Sequence, residues 1–229
     1  MRAILAALLM LVSLGHAHAE ESKISVGPID AWLTVPPNVE KPPVALLIAG
    51  SGSTDHDGNS LKLKPATLKK LSDALVARNI ATLRYDKRGA GGWKKEFGKP
   101  EDFRFKDFVD DAASLIDYLR GSQKFSRLAV VGHSEGGLVA ILAARRVPVD
   151  RLVLLAPAWV EHPEKLSGRK LFVTSRGDSL AAKIQEEYEK VPEPKKLLLI
   201  DGSAHAQFLF ETEHGPRLLE EILRFLSEP

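Results

Sequence analysis

The sequence predicts an α/β fold: a mostly parallel, doubly wound sheet of about eight strands with helices on both faces. Three observations predict it. From residue 24 onward, short β-rich runs alternate with amphipathic helical stretches, an order that calls for right-handed crossovers and a parallel sheet. Runs such as residues 44–49 (Val-Ala-Leu-Leu-Ile-Ala) are continuously apolar, as a strand covered on both faces requires. The chain has 229 residues, 44% of them hydrophobic and 27% charged, enough for one core without staples.

In order along the chain, residues 24–26 and 31–35 read as a hairpin turned at Gly27-Pro28, and 44–49 as the first buried strand. Pro65 suits a first helical turn, with Leu68, Leu71 and Leu75 following at helical spacing. Residues 80–85 are the next strand. Phe105, Phe108, Val109, Ala112, Leu115, Ile116 and Leu119 form one helical stripe, which Gly121 stops. Strands are expected at 127–131, 152–155, 170–174 and 197–200, and helices at 135–146, 180–190 and 215–226. No repeat or linker divides residues 20–229, so they read as a single domain.

The N-terminus has a different character. Arg2 precedes an unbroken apolar and small-residue run at 3–14, and Ala17 and Ala19 stand in an A-x-A arrangement before Glu20. This is the layout of a signal peptide, residues 1–19, and implies a periplasmic or secreted protein. The run is too short for the roughly 20 residues of a membrane span, so no stable span is expected after cleavage. There is no cysteine, which excludes disulfides, thiolate metal ligands and a thiol nucleophile. A net charge of +2 offers no field for nucleic acid, so no nucleic-acid partner is expected.

Gly132-His133-Ser134-Glu135-Gly136 reads G-x-S-x-G, between the strand ending Leu128-Ala129-Val130-Val131 and a helical stretch. That setting is what a nucleophile elbow needs: a strained turn carrying Ser134, with glycines where side chains would collide. It also puts Ser134 at a helix N-terminus, where N–H groups can stabilise an oxyanion. A serine hydroxyl needs a base, best a histidine steered by a carboxylate. Among the histidines, His205 follows the last apolar strand among the small residues Gly202, Ser203 and Ala204, whereas His162 and His214 lie in polar loops. Asp178 lies just beyond the strand Leu171-Phe172-Val173-Thr174 and is the preferred acid; Asp201, four residues before His205, competes.

With the order Ser134, Asp178, His205, the chain resembles the α/β-hydrolase superfamily. Asp86-Lys87-Arg88-Gly89-Ala90-Gly91 is similar to its D-x-R-G-x-G segment, and residues 50–59 resemble the oxyanion loop of a bacterial, dienelactone-hydrolase-like branch. The resemblance implies an oxyanion hole made by the backbone N–H groups of Ser51 and Glu135. Two departures stand out: Ala49-Gly50 replaces the usual His-Gly, and the cysteine nucleophile of dienelactone hydrolases proper is absent.

Asp55, Asp57 and Asn59 alternate like a calcium loop, but the glycine and the position-twelve residue (Ala66) do not fit. An Asx turn is the reading preferred, and neither a metal nor a cofactor is expected. The function these residues predict is a serine hydrolase acting on small-molecule carboxylic esters. The alternatives are a peptidase of the same fold and a non-catalytic binding protein on it. Only residues 156–169 are available for a cap, including Pro157 and Pro163, so an open site suited to short or bulky esters is expected.

Overall fold

The computed structural model describes residues 19–90 and 104–228. The expected leader (Ala19 apart) and Gly91 of the Asp86–Gly91 segment lie outside the described residues. Among the described residues there are eight strands: β1 (Glu20–Val26), β2 (Ile29–Val35), β3 (Val44–Ile48), β4 (Ala81–Tyr85), β5 (Leu128–His133), β6 (Arg151–Leu155), β7 (Arg169–Ser175) and β8 (Lys195–Ile200). Five α-helices accompany them: α1 (Thr67–Val76), α2 (Phe105–Gly121), α3 (Glu135–Arg146), α4 (Ala181–Glu189) and α5 (Gly215–Ser227). The strands form one sheet in the order β1-β2-β4-β3-β5-β6-β7-β8. Pairing is antiparallel in the β1–β2 hairpin and between β2 and β4, and parallel from β4 to β8.

The parallel strands alternate between two cores. Val44, Leu46, Ile48, Leu128, Val130, Leu152, Leu154 and Phe172 point to the face covered by α2, α3 and α4. Ala45, Leu47, Ala129, Val131, Val153, Leu155, Leu171 and Val173 point to the face covered by α1 and α5. Burial on both faces explains why these strands read as unbroken apolar runs rather than alternating ones. Each fully buried Leu, Ile or Val side chain contributes roughly 1.5–3 kcal/mol.

The hairpin turns at Gly27, whose φ of 57° is open to glycine. The first helix differs from expectation, starting at Thr67 rather than Pro65, with Ala66 in the left-handed region. Ala66 N–H donates to Asn59 Oδ1 at 2.9 Å, and the Asp57 carbonyl accepts the N–H groups of Leu68 and Lys69. The loop, not the proline, caps α1. Asp55 Oδ1 in turn accepts the N–H groups of Asp57 (3.0 Å) and Asn59 (2.8 Å), the Asx turn expected in place of a calcium loop. Between β6 and β7 there is only a short 3-10 helix, Pro163–Lys165, with Trp159 54% exposed. No multi-helix cap is built there.

The chain leaves β3 toward β4 on one side and β5 toward β6 on the other, which opens a crevice at the carboxyl ends of β3 and β5. The loop after β3 and the β5–α3 turn meet at this point.

Candidate active site

Ser134 sits at the β5–α3 turn with φ 52° and ψ −124°, a conformation outside the helical and extended regions. The glycines around it are steric requirements. A Cβ on Gly132 would lie 2.3 Å from the Gly136 carbonyl oxygen, and one on Gly136 would lie 2.3 Å from the Ala49 carbonyl oxygen. The turn is held by Ser134 N–H donating to Leu155 O (3.0 Å).

Two loops beyond β7 and β8 bring the other expected residues to it. Arg176 N–H donates to Ile200 O (2.8 Å), Gly177 N–H to Gly202 O (2.8 Å) and Ser175 Oγ to Ala204 O (2.6 Å), which lashes the loops together. His205 Nε2 lies 2.9 Å from Ser134 Oγ, and its Nδ1 lies 2.7 Å from Asp178 Oδ2. The Asp178 side chain is 1% exposed, and its Oδ1 accepts the N–H of Leu180 at 2.9 Å. Asp201 is placed elsewhere: its side chain is 77% exposed and pairs with Arg176. His162 pairs with Glu164 at the surface, and His56 stacks on Trp32 with its Nδ1 2.8 Å from Asp86.

Ser51 N–H has no acceptor among the described residues, and Glu135, as first residue of α3, has no helical acceptor for its own. Two side chains that the sequence did not single out as functional fix the backbone here. Lys87, 3% exposed, donates to Gly50 O at 2.7 Å and to Glu135 Oε1 at 2.5 Å, with its Nζ 4.7 Å from the centre of the Phe108 ring. Burial pulls the Lys87 ammonium below its ordinary pKa, and the Glu135 carboxylate acts against that. His133 Nε2 accepts the Gly50 N–H at 3.1 Å. Lys87 thus ties the loop bearing Ser51 to the residue bearing the second N–H. Among the described residues no group of His, Asp or Glu side chains could hold a metal ion, and no helix is long and apolar enough to cross a membrane.

The family model described as serine aminopeptidase, S33, matches residues 65–192, more than half of the chain. The chain is an α/β hydrolase of this family. Esterase EstD of Thermotoga maritima is 28% identical over 168 residues, 73% of this chain and 39% of its own length. Human monoglyceride lipase is 26% identical over 131 residues, 56% of this chain and 40% of its own length. The chain therefore spans about two fifths of these curated relatives. Est1E from Butyrivibrio proteoclasticus, solved with ferulic acid bound, superposes with a TM-score of 0.69 at 22% identity, covering 90% of this chain and 97% of that one, which shows a shared fold.

His133 gives the protein a pH-dependent element. Burial first, then the charges of Lys87 and His205, push its imidazole from 6.5 down to about 4. The unfolded chain therefore binds the proton more readily, so stability is fully present above pH 6.5 and falls as the pH drops toward 4. A shift of that size corresponds to about 3 kcal/mol at about 1.36 kcal/mol per unit. Thermal unfolding midpoints are expected to drop across this window. In His133→Gln, which keeps an acceptor for Gly50 N–H but does not titrate, the drop should be visibly smaller. Equal slopes for the two proteins would exclude His133 as the source.

Proposed function

We propose that the protein is a periplasmic or secreted serine hydrolase that cleaves small carboxylic esters through an acyl-enzyme. The observation that carries this reading is the unbroken contact chain from Ser134 Oγ through His205 to the buried Asp178, at 2.9 and 2.7 Å. In this reading Ser134 Oγ attacks the ester carbonyl while His205 Nε2 takes its proton. The carbonyl oxygen gains negative charge and is met by the N–H groups of Ser51 and Glu135 at the head of α3. Collapse breaks the ester bond, His205 returns the proton to the departing alcohol, and a water activated by His205 then releases the acid. Asp178 holds Nδ1–H and steadies the imidazolium. None of these steps calls on a cofactor. Lys87 and His133 fix the loop of Ser51 against Glu135, and an oxyanion donor acts only when it is held in place beforehand.

Export is supported by the leader pattern at 1–19.

The family description favours a second reading, an aminopeptidase using the same residues. Turnover of a panel of p-nitrophenyl esters beside aminoacyl anilides separates the two. Ester turnover exceeding anilide turnover by orders of magnitude is the expected result. Preference for the anilides would replace the esterase reading, and failure of a fluorophosphonate to label the folded protein would favour a non-catalytic binding role.

A further inference from the structure

The cavity containing Ser134 and His205 measures about 220 Å³, below the roughly 300–1,000 Å³ of small-molecule sites in general. A second, larger depression of about 310 Å³ lies beside it, between the first turns of α1 and α5. Leu71, Phe210, Pro216 and Leu219 give it an apolar lining. Thr67 and Gln207 line both cavities and so form the sill between them. Neither is an obstacle of much size or rigidity. Thr67 has a short side chain, and the half-buried Gln207 has an amide that forms no hydrogen bond among the described residues, free to change rotamer. Apolar surface also continues on the near side of the sill, where Leu63 and Phe208 line the catalytic cavity while 46% and 39% exposed.

We infer that the groove between α1 and α5 binds an apolar arm of the ester, which runs from Ser134 across Thr67 and Gln207 onto Leu71, Phe210 and Leu219. The inference rests on the ester-hydrolase reading above and names its substrate class: esters carrying a medium-length alkyl chain or a flat apolar ring. It replaces the expectation of short or bulky esters, which considered only residues 156–169 as a possible wall. The wall comes instead from α1, from α5 and from the 3-10 helix Ala206–Glu211 that directly follows His205. An arm of this kind attaches either to the acyl carbon or to the alcohol oxygen, and the two are separable by experiment.

The test measures kcat/KM for p-nitrophenyl acetate, butyrate, hexanoate and octanoate, and in parallel for the acetates of ethanol, butanol, hexanol and octanol. All substrates are kept below their micellar concentrations. Wild type is compared with Leu219→Glu, which puts a charge in the groove, and Leu219→Trp, which fills it. Burying a methylene contributes at most about fourfold (about 0.8 kcal/mol). In a groove open to water, wild type should gain on the order of tenfold or more across one series, and that series identifies the arm. Both variants should flatten the gradient. Taking the ratio of longest to shortest ester within each protein cancels any loss of folded enzyme. A flat profile in both series, or a gradient that survives both variants, overturns the groove. Ser134-dependent turnover of the acetates would in that case leave the ester-hydrolase reading standing, whereas absence of Ser134-dependent turnover on every ester would overturn both.

Discussion

Replacing Ser134 with alanine is expected to lower ester turnover by several orders of magnitude while leaving the fold intact. Only the hydroxyl is lost, and its one side-chain partner among the described residues is His205 at 2.9 Å. Alanine bears the same Cβ, so the strain at φ 52° is neither added nor relieved. The fold should therefore show a nearly unchanged unfolding midpoint. Activity should fall to what the oxyanion donors and binding alone retain, roughly 10³–10⁴ over water, because removing the nucleophile also deprives His205 and Asp178 of their role. Steady-state kinetics on p-nitrophenyl acetate and loss of fluorophosphonate labelling provide two independent readouts. Near-native turnover with labelling retained would mean that the nucleophile is a residue outside the elbow.

Where geometry follows from local rules, the site was legible in the sequence. The strands buried on both faces read as apolar runs because neither of their faces meets water. The glycines at 132 and 136 read as an elbow because no other side chain fits within 2.3 Å of the facing carbonyls. Asp178 and His205 were found by the same logic: each follows a strand at its carboxyl end, where an open parallel sheet holds its ligands. Long-range placement was harder to read. Lys87 looks like a solvated loop cation from sequence, yet it is buried because two loops 37 and 48 residues away supply its acceptors. His133 occupies a variable position of the elbow motif, and only the approach of Gly50 gives it a partner. The 3-10 helix Ala206–Glu211 has no capping signal, and the start of α1 is set by loop hydrogen bonds to Asp57 and Asn59 rather than by Pro65. The groove between α1 and α5 joins residues from three separate stretches of chain, which no sequence window contains.

Substituting Asp178 with asparagine should cost about 10⁴ in rate, while the same change at Asp201 should cost less than about fivefold. The two carboxylates differ in every property that matters for steering a histidine. Asp178 is buried, takes the Leu180 N–H on one oxygen and faces His205 Nδ1 at 2.7 Å with the other. An asparagine there keeps the volume and can still bond Leu180. With its one carbonyl oxygen kept on the Leu180 N–H, however, it presents an amide N–H toward His205, which selects the wrong tautomer. In the wrong tautomer Nε2 carries the proton and cannot accept one from Ser134. Asp201 has only an exposed ion pair with Arg176 to lose, and exposed pairs contribute about 0–1 kcal/mol. The comparison also separates catalysis from stability. Since Asp178→Asn retains the hydrogen bond to Leu180, its rate should fall far more than its unfolding midpoint predicts, with kcat falling while KM stays within a few-fold. If Asp201→Asn lost more activity than Asp178→Asn, the acid would have to be reassigned, and the 2.7 Å contact at His205 Nδ1 would then be a packing feature rather than part of the mechanism.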